Sequence, residues 1–554
     1  MNTPTDEQTK HVVPAAAACV ACRSRHLKCD GVKPCARCVS KDLQCSFVQS
    51  RRGYRKRGRV RGVNSPTISI ANSPTITLGS PTIPRLTNSP LTNTDITCQP
   101  IAATTDYLPA YYHYIHPAHP FLPPFPALLT LLSLRPLPHL LAAITYLTSF
   151  HIQPSHTPLL LAEAVHQISS PLCPHDGYAV QANLLIAIGL DGSGELKRAL
   201  AFFNQAVDVA LEIGMQHEWF AERNGGGNSV IEESWRRTWW ECVVLDGMVA
   251  GVHQASSVRL DGVGEGVGLP CEEGNYISGN IPSPRSLEEF NDEEFSDDDT
   301  VFSSFTYRIA AISNLARILA IPKPIFPDDP LIAKTDAYLV NWSLHLPSTK
   351  RIVVEDGRVD EMLFQAHMIT YASTLLLHRP HAHLDTAPTQ TITSCAPHQP
   401  TTGGPTYNIH AAKVVQAAFD IASLIALPVP LTLHTHFFTC VVTLGAIVDL
   451  SRWAGLDGVA KNEEIKQQIR LYTGALKTIA AVWPSARKAQ GQVKGAAQEI
   501  FASRKLAVRE REFWGGLLDE EMLGMVSGDG EFGVGLLGGD DGEGWNNENM
   551  AGSG

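Results

Sequence analysis

With 554 residues, the chain is long enough for three or four domain-sized pieces, or for one large region with appendages. Apolar residues make up 44% and charged residues 18%, enough for a sizeable core. The net charge of -11 is unevenly spread: thirteen Lys/Arg meet two Asp between Cys19 and Arg61, a +11 segment that leaves about -22 for the rest. A basic head of this kind suits a polyanion, and the acidic remainder is excluded from that role.

The opening MNTPTDEQTK carries no apolar core, so no secretory signal is expected, and residues 1–14 read as a disordered N-terminus. The most hydrophobic run, FLPPFPALLTLLSLRPLPHLLAAITYLTSF, is broken by five prolines and an arginine. A membrane span needs roughly 20 mostly apolar residues, so this run reads as buried helices and no membrane partner is expected. Cys98, Cys173, Cys242, Cys271, Cys395 and Cys440 are scattered singly. In the reducing compartment that the missing signal implies, they read as buried or free thiols rather than disulfides.

The other six cysteines lie in CVACRSRHLKCDGVKPCARCVSKDLQC, spaced C-x2-C-x6-C-x5-C-x2-C-x6-C in two eleven-residue halves. Each half offers three thiolates, one short of the four that a tetrahedral zinc takes. Two zincs can share six thiols if two cysteines bridge both metals. Pro34 stiffens the turn between the halves and Gly31 relaxes the backbone beside it. A cross-brace site would need eight ligands including a histidine, and a histidine-containing finger would need an H-x3-5-H pair that is absent nearby. With sulfur at every position, neither metal keeps an open site, so the zinc is expected to be structural.

This stretch resembles the six-cysteine binuclear zinc cluster of fungal transcription factors. The resemblance implies that residues 15–48 form a DNA-binding domain holding two Zn2+. Cys19 and Cys35 would bridge, Cys22 and Cys29 would complete one metal, and Cys38 and Cys45 the other. The first half carries Arg23, Arg25, His26 and Lys28, whereas the second has Arg37 and Lys41 offset by Asp42. A short helix led by the first half can enter the major groove. The family pattern places its base-reading residue shortly before the third cysteine, usually as lysine, and here that position is His26. Three readings stay open: His26 donates to a guanine in a related triplet, touches only phosphate, or makes no DNA contact. The following SFVQSRRGYRKRGRVRG holds seven basic residues and no acid. Arg51, Arg52, Arg55, Lys56 and Arg57 are expected to track phosphates, and the run also reads as a nuclear import signal.

Residues 49–105 combine this basic arm with a linker, VNSPTISIANSPTITLGSPTIPRLTNSP, in which Ser-Pro-Thr-Ile loosely repeats. Its composition predicts an extended, disordered tether. Ser65, Ser73, Ser80 and Ser89 precede proline, as in proline-directed phosphorylation sites, and a plain spacer is the equal alternative. No a/d heptad is present, so the linker gives no basis for dimerisation, and homodimer formation stays open.

From 106 to 515 the chain predicts helix after helix, an all-α array. In GELKRALAFFNQAVDVALEIGM, Leu196, Leu200, Phe203, Val207, Ala210 and Leu211 share one face, and Gly214 suits the C-terminal cap. YYHYIHPAHPFLPP, YAVQANLLIAIG, ESWRRTWWECVVLDGMVAGV, LHRP and GALKTIAAVWPSA are similar, in this order, to the helical regulatory region of the same fungal factors. Trp235, Trp239, Trp240, Val243, Val244 and Met248 read as core, and Arg236 and Arg237 as partners of buried carboxylates, with a small effector as the alternative. The acidic SLEEFNDEEFSDDDT reads as an exposed loop.

His113, His116 and His119, and likewise His378, His381 and His383, are interrupted by proline and lack i, i+4 spacing, so neither group reads as a metal site. No G-x-S-x-G or H-E-x-x-H appears, and no enzyme is expected. Residues 516–554 read as an acidic, Gly-rich tail whose interspersed aromatics match the composition of activation segments, with an inert end as the alternative. The expected function is a nuclear, zinc-dependent, sequence-specific regulator of RNA polymerase II genes, recognising CGG-like triplets. Its expected partners are double-stranded DNA and the transcription machinery or co-regulators. The alternative is a chromatin or co-regulator scaffold anchored to DNA without sequence preference.

Overall fold

The computed structural model describes residues 22, 28–30, 32, 34–41 and 45, and then 104–526 apart from 254, 256, 293–300, 323–325, 355–356, 395–407 and 456–461. Chain contacts divide it into two units, Met1–Ile96 and Thr97–Gly554. Among the described residues all regular structure is helical, apart from an isolated bridge between Val353 and Val359, so the all-α class holds. The linker and the tail beyond Val526 lie outside the described residues.

In the larger unit, helix Gly177–Ser193 is apolar on nearly every side and is buried on all of them. Such a helix belongs in the middle of a core. Asp176 starts it by accepting the Tyr178 and Ala179 N–H groups at 3.0 and 3.1 Å. It packs against Pro138–Ile152, Leu196–Glu212 and Ser229–His253. Gly177 is required there, because a Cβ would stand 2.5 Å from the Trp235 ring.

Helix Leu196–Glu212 follows the face read from its sequence, with Phe203, Val207 and Ala210 buried and Leu196, Leu200 and Leu211 half-buried. Gly214, just beyond it, adopts φ +83°, and the Met215 N–H returns to the Ala210 carbonyl at 2.9 Å. The long apolar run divides differently from expectation. Pro138–Ile152 is core, but Phe125–Leu134 buries only Leu128 and leaves Leu129 and Leu134 exposed. Proline starts each helix at a position where no N–H is needed.

The 25-residue helix Ser229–His253 carries Trp235, Trp239 and Trp240 into the core, each worth roughly 2–3 kcal/mol of burial. Arg236 and Arg237 pair with Glu233 on the same helix, both at 3.0 Å. The Arg237 guanidinium also reaches Glu273 and the carbonyls of Pro120 and Cys271, which occupies its donors within the protein. Helix Ser304–Leu319 packs on Ser229–His253 and on Glu361–His378. It supplies Arg308, whose guanidinium holds Glu241 at 2.8 and 3.1 Å.

The acidic run departs from the expected loop in its first part, where Leu287–Asn291 is helical. Ser286 and Glu289 form a reciprocal capping box, and Phe290 packs on Phe302 and Tyr307. Phe438–Gly455 is long and apolar enough to cross a membrane, but 78% of it is buried within the helical unit, against Asn462–Ile479 and Pro484–Val526. The last of these continues past residue 515.

Candidate zinc and nucleic-acid interface

The second half-cluster is built on a five-residue helix, Ala36–Ser40. Cys35 sits at its N-cap in an extended conformation, and its sulfur accepts the Cys38 N–H at 3.4 Å. The helix turn therefore brings Cys38 beside Cys35, as C-x2-C spacing requires. The Cys35 N–H in turn points at the Cys45 sulfur, 3.2 Å away. N–H groups directed at sulfur favour the thiolate, the form that binds metal.

Asp30 was not singled out by sequence reasoning, yet it ties the two halves together. One carboxylate oxygen accepts the Val32 N–H at 3.2 Å, and the other accepts the Ala36 N–H at 2.8 Å. Those bonds, Ala36 first, hold the Asp30 carboxyl below its ordinary range. They brace the Pro34 turn and cap the helix that presents Cys38. The signal was present in the sequence: aspartate ahead of Gly31 is a turn former whose side chain bonds backbone two residues on.

Two groups of three sulfurs result, Cys22–Cys29–Cys35 and Cys35–Cys38–Cys45, with every sulfur in a group within 4.8 Å of the others. Cys35 is common to both. The Cys22 and Cys35 sulfurs are 3.6 Å apart. Zinc with sulfur at about 2.3 Å in a tetrahedron sets its ligands about 3.8 Å from one another, so the donor set fits that metal. Cys22, Cys35 and Cys38 are buried, Cys29 and Cys45 half-buried. Cys19 lies outside the described residues. Among the described residues these are the only groups that gather three metal-type ligand atoms so closely.

Lys28, Arg37 and Lys41 are exposed. Arg23, Arg25, His26, Arg51, Arg52, Arg55, Lys56 and Arg57 all fall outside the described residues.

The histidines singled out in the helical unit have partners of other kinds. His119 Nδ1 meets Glu241 at 2.7 Å, and His116 lies 3.6 Å from Glu273, while His113 is exposed. His378 bridges Asp336 and His410, both at 2.9 Å, and the His381 ring packs on His410. Cys173, Cys242 and Cys271 are free thiols, and Cys440 is half-buried. Burial pushes the Cys271 thiol up to about 12, far from a reactive thiolate.

Two sulfur groups sharing Cys35, encoded ahead of a large helical unit, are the features of a transcription regulator of the zinc-cluster class. Residues 17–54 match the fungal Zn(2)-Cys(6) binuclear cluster domain, and residues 136–326 match the fungal specific transcription factor domain. The chain is 38% identical over 583 aligned positions to the C6 finger domain transcription factor iacK of Pestalotiopsis fici, covering 95% of this chain and 86% of that one. It is 32% identical over 96 residues to glucose starvation modulator protein 1 of Debaryomyces hansenii, covering 17% of each. It is also 41% identical over 59 residues to the cercosporin biosynthesis regulatory protein CTB8 of Cercospora beticola, covering 10% of this chain and 15% of that one. No solved structure matches it. The chain belongs to the C6 zinc-cluster transcription factors of fungi, and is a DNA-binding transcription factor rather than an enzyme. The cluster domain of this family binds two zinc ions.

Proposed function

We propose that the chain acts in the nucleus as a sequence-specific regulator, with its cluster directed at CGG-like triplets. Cys19, Cys22, Cys29, Cys35, Cys38 and Cys45 hold the two zincs, with Cys19 and Cys35 as the shared ligands. The observation that carries this reading is the place of Cys35 in both sulfur groups. A thiolate common to both groups lets six cysteines serve two tetrahedral metals, leaving no coordination position for a substrate. The zinc then folds the head, and recognition falls to side chains around it.

Arg23, Arg25, His26 and Lys28 make the first half the base-facing one, because the second half is less basic. Arg51, Arg52, Arg55, Lys56 and Arg57 continue the grip along phosphates and supply the nuclear import signal. The helical unit works through the transcription machinery or co-regulators, and the site it imposes depends on whether two chains pair.

Cys35→Ala tests the assignment, since it takes a ligand from both metals at once. Metal analysis is expected to show fewer than the two zincs of the parent chain, together with loss of DNA binding in a gel-shift titration. Cys173→Ser, outside the cluster, is expected to keep both properties. A Cys35→Ala chain that retains two zincs and binds DNA would overturn the shared-ligand assignment.

A further inference from the structure

Near its C-terminal end the helical unit carries a groove of about 550 Å3 between helices Asn462–Ile479 and Pro484–Val526. Its floor is apolar: Trp453, Ile469 and Ala497 are at its base, and Phe501, 55% exposed, forms one wall. Gly474 also lines it, and a Cβ there would meet nothing within 4 Å, so the floor is open at that point. The rim is made by Lys466, Arg470, Lys477 and Lys494, and no carboxylate lines the groove. Lys466 pairs with Glu463 at 2.9 Å and Arg470 approaches the same residue. Lys477 and Lys494 have no ion-pair partner among the described residues.

An apolar slot with a cationic rim suits a peptide that combines carboxylates with a large aromatic ring; duplex DNA offers the charge but nothing for the floor. The chain contains such a segment. Residues 527–554 hold six acids and no Lys or Arg, and DDGEGW places Asp540, Asp541 and Glu543 immediately before Trp545. Its attachment point is also right. From Val526, where the last helix ends, back to Phe501 is about 38 Å at 1.5 Å per helical residue. The nineteen residues from Val526 to Trp545 can span up to about 60 Å when extended.

We propose that residues 540–545 of the tail fold back into this groove of the same chain, Trp545 packing against the exposed Phe501 ring beside Gly474 while the neighbouring carboxylates meet Lys477 and Lys494. The tether makes the contact intramolecular, and the exposed rim makes it sensitive to salt.

Zero-length carbodiimide cross-linking of the full chain, mapped by mass spectrometry, tests this. The expected links join Lys477 or Lys494 to Asp540, Asp541 or Glu543, with a yield unchanged on about ten-fold dilution. The yield is expected to fall about five-fold at high salt, and comparably in Trp545→Ala. Gly474→Trp, filling the open floor, is expected to do the same, and the exchange Lys494→Glu with Asp541→Lys to restore the link. Links spread evenly over other exposed lysines such as Lys197 would overturn the proposal. So would a yield that rises with concentration, which marks a second copy, or one indifferent to Trp545→Ala.

Discussion

Glu241 is fully buried, held by the Arg308 guanidinium on one side and by His119 Nδ1 on the other. Burial alone would raise its carboxyl, but the Arg308 charge and the His119 hydrogen bond outweigh it and bring the value down to about 2. Its contribution to stability is therefore complete above its unfolded value of about 4.3 and is lost as pH falls towards 2. Arg308→Met strands this carboxylate without its cation, and a loss of about 3–5 kcal/mol is expected in urea unfolding at neutral pH. A loss below about 1 kcal/mol would mean that the pair is not the anchor its geometry suggests.

Asp449 behaves in the opposite sense. Burial lifts its carboxyl to about 6 against the pull of Arg452, which donates to one oxygen at 2.7 Å. A raised value gives stability that is present below the unfolded pKa of about 3.9 and lost as pH rises through 6. Asp449→Asn removes the titrating group, so the stability of the variant is expected to change less between about pH 4 and 6 than that of the parent, as read by thermal unfolding. An identical pH profile would contradict the shift.

At the scale of elements, legibility followed the range of the interaction. The gathering of Cys22, Cys29, Cys35, Cys38 and Cys45 was legible because ligation spacing is local, and C-x2-C reappears as one turn of the Ala36–Ser40 helix, while Cys19 lies outside the described residues. The Arg236 and Arg237 pairs lie within one turn of Glu233 and could be read for the same reason. The triad of His119, Glu241 and Arg308 could not, because its members stand 122 and 67 residues apart and only tertiary packing joins them. The short helix after Ser286 was missed although its S-x-x-E capping box was visible, because the surrounding acidity dominated the reading. The basic arm has its own test. If Arg51 and Arg52 each neutralise a phosphate, replacing both with glutamine should reduce the slope of log affinity against log salt by about 2 units, with an unchanged preferred sequence. An unchanged slope would remove the pair from the interface.

On the scale of the whole molecule, a small metal-folded head and a large helical unit divide the work. Among the described residues of the head, those buried are three cysteines, Cys22, Cys35 and Cys38. Metal ligation supplies the missing folding energy in domains of this size. The helical unit needs no such support, because one continuous apolar core runs through it from Tyr107 to Ile500.

The central claim is that this head reads sequence, and does so through zinc. Unbiased selection of duplex DNA by the full chain, with zinc present and again after chelation, tests it most directly. The expected result is enrichment of a CGG-like triplet that disappears on chelation and returns with added zinc. Binding that enriches no sequence and responds only to ionic strength would contradict it, leaving a protein that anchors to DNA without reading it.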